Sequence, residues 1–227
     1  RLYIANVPRE LEKFEYLPSL LAEDARLQRL LTHPSDFPAW QAVNHHLQLA
    51  ANISNASAVY LLDRDGNTVA ASNFDDMDSF IGDNYGFRPY FQQARRGRLG
   101  RFYALGITSR RRGYYFASPV TRDGRTLGVI VVKVALAPLE RARGGAAREF
   151  LVTDPAGVVF LSTEADWRFH ALQPLDTAER ERIRETRRYR GRPLEPLKTG
   201  PARALAGGGE LLDLPGRGHF LRLEQTM

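Results

Sequence analysis

Apolar residues recur at three- and four-residue steps through the first part of the chain: Leu11, Phe14, Leu17, Leu20, Leu21, Leu27, Leu30 and Leu31 within residues 9–31. That period predicts helix, with Pro18 kinking or restarting it. Thr32-His33-Pro34-Ser35 breaks the run. Ser35 or Asp36 can cap the next helix, with Pro38 in its first turn. This helix runs to about Ile53, with Trp40, Val43, Leu47, Leu49 and Ala50 as candidate core residues. The texture changes near Ala56. Ala58–Leu62 and Thr68–Ser72 read as strands around the turn Asp63-Arg64-Asp65-Gly66-Asn67, a hairpin signal. A loop and a short helix starting near Pro89 follow. Strands are then expected at Gly100–Ile107, Gly113–Val120 and Thr126–Leu136, the last two joined at Arg122-Asp123-Gly124.

The hairpin pattern returns. Residues 60–69 (YLLDRDGNTV) are echoed by residues 150–159 (FLVTDPAGVV), with Asp three residues before Gly in both and a Ser (Ser72, Ser162) near the end of each second strand. Two such hairpins about 91 residues apart suggest two copies of one sheet-based module. Residues 141–149, with Gly144-Gly145-Ala146-Ala147, would link them. Residues 178–190 read as a charged helix, 191–209 as Pro- and Gly-rich loop, and Glu210–Leu214 with His219–Leu223 as a closing hairpin. Consecutive antiparallel strands with helices gathered at one end make the fold class α+β. The expected division is a helical stalk over 1–57, a first sheet module over 58–140 and a second over 141–227.

Composition narrows the function. The chain has 227 residues and no Cys, which removes disulfides, thiolate zinc sites and a Cys nucleophile. The five His do not form a metal motif, and His45 and His46, adjacent on a helix, point about 100° apart. Asp63-x-Asp65-x-Asn67 opens like a calcium loop, but Thr68 and Phe74 stand where Gly and Glu are required. Gly207-Gly208-Gly209 lacks the Lys-Ser/Thr of a phosphate loop. No Ser/His/Asp set emerges, so no metal, cofactor or catalytic residue is expected. The net charge is +6 and all but three of the 32 basic residues are Arg. Their clusters lack the interleaved aromatics of a single-strand binder, so solvated faces are expected rather than nucleic-acid contacts. No apolar run approaches the length of a membrane span. The chain opens on Arg1 and stops at Met227, which reads as a region excised from something longer.

Two cations stand in unusual places. Lys133 interrupts the most apolar strand, Leu127–Leu136, on the face of Leu127, Val129 and Val131. A buried ammonium needs an anionic partner or a water-filled cavity; otherwise the residue reaches water at the strand end. Arg88 precedes Pro89, where a helix begins, beside N–H groups without helical partners. Between them lie Thr108-Ser109 and the strand Tyr114-Tyr115-Phe116-Ala117-Ser118. Parity puts Tyr114 with Ser118 and Tyr115 on the opposite face. Two separated cations lined by hydroxyls and rings suit a small molecule with a carboxylate at each end.

Ser79-Phe80-Ile81-Gly82-Asp83-Asn84-Tyr85-Gly86-Phe87-Arg88-Pro89-Tyr90-Phe91, then Tyr103-Ala104-Leu105-Gly106, Gly113-Tyr114-Tyr115-Phe116 and Gly128–Val134 occur in that order. This set resembles the extracytoplasmic sensor of bacterial four-carbon dicarboxylate transport sensor histidine kinases, a double Cache (tandem PAS-like) module. The resemblance is dense over about 58–140 and looser elsewhere. It implies a long N-terminal helix rising from one membrane span, a membrane-distal sensing module, a proximal module and a second span. It also implies a periplasmic location, a homodimer in the full-length protein, and a cytoplasmic kinase domain outside this chain. In the family, ligand contacts come from the Arg and the strand Lys, matching Arg88 and Lys133. Further contacts come from the segment matching Gly106, Thr108 and Ser109 and from the Tyr-rich strand; on this reading Thr108, Ser109 and Ser118 donate hydrogen bonds, and Tyr114 or Tyr115 walls the pocket. Ile107 stands where relatives often have Thr, which removes one hydroxyl. Ligand binding must favour one arrangement of the sensing module over another. Two rivals accompany this reading. One is the same fold on a chemoreceptor or cyclase, with Asp75, Asp76 or Asp78 meeting an amino acid's ammonium. The other is a hydrolase, for which no nucleophile–base pair is found.

Overall fold

A computed structural model describes residues 7–138, 140, 151–198, 200, 203–204, 210–214 and 218–222. The chain divides into two compact units, one of Glu10–Leu136 with Ile183–Arg190, the other including Ala137–Arg182 and Gly191–Met227. These units do not follow the three expected segments: the helices before the first strand cluster with the sheet, and so does the short stretch 183–190. The expected linker 141–149, the triple glycine at 207–209, and Phe150 and Leu223 lie outside the described residues.

Helices come first: α1 (Val7–Glu15), α2 (Leu17–Ala22), α3 (Ala25–Thr32) and α4 (Phe37–Ser54). Pro18 sits in the first turn of α2 and restarts the helix there. Asp24 caps α3 by accepting from the Arg26 N–H at 2.8 Å, and Asp36 caps α4 by accepting from the Ala39 N–H at 3.0 Å. Asn55, at φ 55°, ends α4 in the left-handed region. Leu49, an expected core residue, points outward at 57% exposure, as does Leu20 of the helical apolar series at 64%. The restart at Pro18 resets the phase, so Leu21 turns inward instead of Leu20. On α4 the buried stripe is Val43, Leu47 and Ala51, and a position two residues off such a stripe lands on the far side of the helix. Asn44, fully buried, receives the Ala71 N–H at 2.8 Å and ties α4 to the sheet.

The first unit holds a five-stranded antiparallel sheet: β1 (Ala58–Leu62), β2 (Thr68–Ala71), β3 (Gly100–Leu105), β4 (Arg112–Arg122) and β5 (Arg125–Ala135), in the order β2-β1-β5-β4-β3. Strand β5 is central, with Lys133 opposite Ala58 of β1 and Tyr115 of β4. Helices α2 and α4 cover one face, where Ser118 meets Ser19 of α2 at 2.8 Å. The other face carries the main apolar cluster, with Tyr60, Leu62, Phe102, Ala104, Tyr115, Val129 and Val131 under α5 (Pro89–Arg95) and the 80–85 segment. Gly100 permits the close approach of β3 to α5, since a Cβ there would lie 2.2 Å from the Tyr90 carbonyl oxygen.

The second unit contains β6 (Leu151–Thr153) paired with β7 (Val159–Ser162), a 3-10 turn at Ala165–Trp167, and a three-stranded sheet of β8 (Arg203–Ala204), β9 (Glu210–Leu214) and β10 (Gly218–Arg222). Its apolar cluster joins Val159, Trp167 and Leu172, with Leu151 and Leu197 against it. Helix α6 (Thr177–Glu185) ends before the expected residue 190, and Arg187 and Arg190 have φ of 48° and 54°. Those left-handed residues cannot continue a helix. The order, helices and then antiparallel sheets in two units, is the α+β class that the strand pattern indicates.

Candidate functional site

The aromatic face of the five-stranded sheet contains a small cavity lined by Tyr60, Phe80, Tyr85, Arg88, Tyr90, Gly106, Ile107, Thr108, Ser109, Tyr115 and Lys133. The pleat brings Lys133 there. Val129 and Val131 share its face, so an ammonium ends an otherwise apolar row. Lys133 is 2% exposed, and its Nζ donates to Ser109 Oγ at 2.5 Å. The ammonium also lies over the rings of Phe80 and Tyr115, at 5.4 and 5.9 Å from their centroids. Burial pushes its pKa down to about 8, and Arg111 and Arg88 push the same way while Asp78 opposes them.

Arg88 is the N-cap of α5 and is also 2% exposed. Its Nη1 donates to the carbonyls of Thr186 at 2.9 Å and Arg187 at 3.3 Å, and its Nη2 to that of Leu105 at 3.2 Å. The stretch after α6 thus holds the guanidinium from behind. It is fixed there by the Leu105 N–H donating to the Arg188 carbonyl at 2.8 Å and by Tyr189, 1% exposed, beside Tyr103. All three acceptors of Arg88 are neutral. Among the described residues, neither Arg88 nor Lys133 forms an ion pair with a carboxylate.

The loop between β3 and β4 closes the cavity. The Gly106 N–H donates to the Arg111 carbonyl at 3.0 Å and the Arg110 N–H to the Gly106 carbonyl at 3.1 Å, so the loop folds back on itself. A Cβ at Gly106 would fall 2.4 Å from Ser109 Oγ and 3.2 Å from Lys133 Nζ, which explains the glycine. Thr108 Oγ1 donates to Asp83 Oδ2 at 2.5 Å. Tyr60 and Tyr90 share a hydroxyl–hydroxyl hydrogen bond at 2.8 Å, and Tyr90 stacks on Tyr115 at 5.2 Å. Burial raises the pKa of Tyr60, Tyr85 and Tyr90, and pushes that of Tyr115 up to about 12, so these phenols keep their hydrogens.

The structure therefore brings together Arg88, Lys133, Gly106, Thr108, Ser109 and Tyr115. It places Tyr114 and Ser118 elsewhere. They share the opposite face of β4, where Ser118 is bonded to Ser19 of α2 and the Tyr114 ring packs on Phe116. Strand alternation separates the two faces, and only the Tyr115 face carries Lys133. Sequence reasoning missed Tyr60, Phe80, Tyr85, Tyr90 and Asp83. Tyr60 shares the face of Ala58, but only the Ala58–Lys133 register shows that this is also the face of the ammonium. Phe80, Asp83 and Tyr85 sit in irregular chain, where no period signals orientation.

A PAS-like order of strands, with a cavity between the sheet and α5 that presents two buried cations, defines a small-molecule sensor domain of the Cache class. Comparison with known proteins makes this specific. The chain is similar to the sensor domain of the V. cholerae histidine kinase DctB, with a TM-score of 0.83 and 31% identity over 95% of this chain and 84% of that one. It is also 43% identical over 87% of its length to the C4-dicarboxylate transport sensor protein DctB of Pseudomonas aeruginosa, and 36% identical over 94% to that of Rhizobium meliloti. The chain belongs to the DctB family of sensor domains and is a periplasmic sensor domain. It spans 32% and 35% of the lengths of those two curated relatives. No family model matches it. No described helix is long and apolar enough to cross a membrane.

Proposed function

We propose that this domain senses a small dicarboxylate, such as succinate, fumarate or malate, for a two-component histidine kinase. The observation that carries the reading is the pair of buried cations facing one cavity without a carboxylate partner among the described residues. Arg88 takes one carboxylate and Lys133 the other. Ser109 donates a hydrogen bond, the Gly106 turn gives room, and Tyr115, Tyr90 and Phe80 wall the site. Holding two unpaired cations in a low-dielectric site is unfavourable until an anion enters, so binding of a doubly charged ligand gains what burial cost. The relatives' names point to the same ligand class.

The unit of β1–β5 is the sensing module and the later sheets are the second module. Because the chain spans about a third of its curated relatives, the kinase domain, the membrane spans and the homodimer belong to the longer protein. This stretch senses ligand without catalysis. Calorimetric titration with succinate, fumarate, malate, acetate and an amino acid tests the reading. Dicarboxylates should bind and also raise the melting temperature, since a ligand that binds only the folded state stabilises it. Binding of an amino acid with no dicarboxylate binding would overturn it.

A further inference from the structure

Two neighbouring hydroxyls of the β3–β4 loop turn opposite polarity toward the same cavity. Ser109 Oγ accepts from Lys133 Nζ at 2.5 Å and from the Arg111 N–H at 3.4 Å. Its oxygen is engaged and its own hydrogen remains to be donated. Thr108 is the reverse. Its hydroxyl donates to Asp83 Oδ2 at 2.5 Å. The Tyr85 hydroxyl lies 3.0 Å from the same carboxylate oxygen and 2.9 Å from Thr108 Oγ1. An ionised carboxylate only accepts, and each hydroxyl has one hydrogen. Whichever of its two acceptors Tyr85 takes, both hydrogens stay inside the Asp83–Thr108–Tyr85 triangle. Thr108 and Tyr85 line the cavity, and what their oxygens offer it is lone pairs. Ile107 adds only hydrocarbon to the same stretch.

We propose that Asp83, acting through Thr108 and Tyr85, makes this wall an acceptor surface that selects a dicarboxylate bearing a hydroxyl over the unsubstituted one. The inference rests on the dicarboxylate reading of the site and adds its specificity. Carboxylate oxygens are repelled by a wall of lone pairs and go to Arg88, Lys133 and Ser109. A hydroxyl on the carbon chain between them can donate to Thr108 or Tyr85. An ammonium can donate too, but it enters a cavity that already holds two cations, so a neutral donor is preferred.

The test is calorimetry of the domain with succinate, both enantiomers of malate, and L-aspartate. It is run on the parent, Asp83→Asn and Thr108→Val, with a melting curve for each. One added hydrogen bond predicts that the better malate enantiomer binds about three- to tenfold tighter than succinate. Aspartate should bind more weakly than malate. Asp83→Asn supplies an amide N–H to one of the two oxygens and releases a hydroxyl hydrogen into the cavity, so the malate-to-succinate ratio should fall toward one. Thr108→Val, nearly isosteric, removes an acceptor and should lower the same ratio; it carries the test if Asp83→Asn does not fold. Equal or tighter binding of succinate by the parent, a ratio unchanged in the folded variants, or aspartate as the tightest ligand would overturn the inference while leaving the dicarboxylate reading in place. Binding of neither succinate nor malate would remove both.

Discussion

The hairpins β1–β2 and β6–β7 are built on the same turn and put to different use. In the first, Asp63 Oδ1 accepts from the N–H groups of Asp65 and Asn67 at 2.9 and 2.8 Å; in the second, Asp154 Oδ1 accepts from those of Ala156 and Val158, both at 3.0 Å. Gly66 and Gly157 complete the turns at φ of 86° and 79°, and each hairpin shifts register at the corresponding place, between Leu61 and Leu62 and between Val152 and Thr153. The surroundings differ. Beside the first hairpin, Arg88 and Lys133 are buried with only neutral partners. Near the second, the buried charge is internally matched: Glu140, 6% exposed, lies 3.2 Å from Arg168 Nε and accepts the Ser162 N–H at 3.1 Å. The hairpin is therefore a scaffold. Whether a unit can take a charged ligand depends on whether its buried charge is already balanced within the chain.

The contrast can be broken most sharply by removing one charge from each unit. Arg88→Ala should weaken dicarboxylate binding by roughly two to three decades, because loss of a buried charge partner costs about 3–5 kcal/mol and a decade is about 1.4 kcal/mol. Arg88→Lys should also bind poorly, since a point charge cannot reproduce the planar fork. Glu140→Gln should do the opposite. It leaves Arg168, whose side chain is 23% exposed and still donates to the Ser162 carbonyl, beside a neutral amide, and lowers stability by about 2 kcal/mol, while the affinity of the folded molecules for ligand is unchanged. Calorimetry and chemical denaturation of both variants check this. A Glu140→Gln variant that loses ligand affinity would erase the distinction between the two units.

A pH series sharpens it further. Lys133 has a pKa near 8 in the folded domain without ligand, against 10.5 in the unfolded chain. Between those values the unfolded chain holds the extra proton, so stability should rise with pH across that window, by about 3 kcal/mol in full. Below pH 8 both states carry the charge and this contribution is flat. Dicarboxylate affinity should run the other way, falling about tenfold per pH unit above 8 as the neutral amine ceases to pair. Denaturation midpoints and titrations from pH 7 to 10.5 measure both trends. The smallest effect concerns the shared turn. Asp63→Ala and Asp154→Ala each remove two side-chain hydrogen bonds to backbone, and each should cost about 1–3 kcal/mol. Neither should change ligand specificity, because the turns are scaffold.

Much of this was legible in the sequence, for identifiable reasons. Alternation and turn residues marked both hairpins, and Asp36 with Pro38 marked the start of α4. Lys133 and Arg88 stood out because a charge in an apolar strand and an Arg before Pro89 each break a local rule. Parity even separated Tyr114 and Ser118 from Tyr115. It could not say which face held the cavity, since that depends on α2 covering one side of the sheet and α5 the other. Leu49 misled because the apolar stripe of its helix is broad, and the position two residues off the buried stripe faces out. Asp83 and Tyr85, in irregular chain, carried no pattern. The hold of the Thr186 and Arg187 carbonyls on Arg88 joins residues 98 and 99 positions apart, a contact no local signal announces.

On the proposed reading two buried cations wait for one ligand, and Lys133→Met tests this most directly. Methionine keeps the packing of the stem and removes the charge. Succinate and malate affinity should fall by roughly two to three decades, while the stability of the ligand-free domain at pH 7 holds or rises, because an uncompensated ammonium has left the interior. If Lys133→Met binds these ligands as tightly as the parent, the strand lysine has no part in recognition and the two-cation site is wrong.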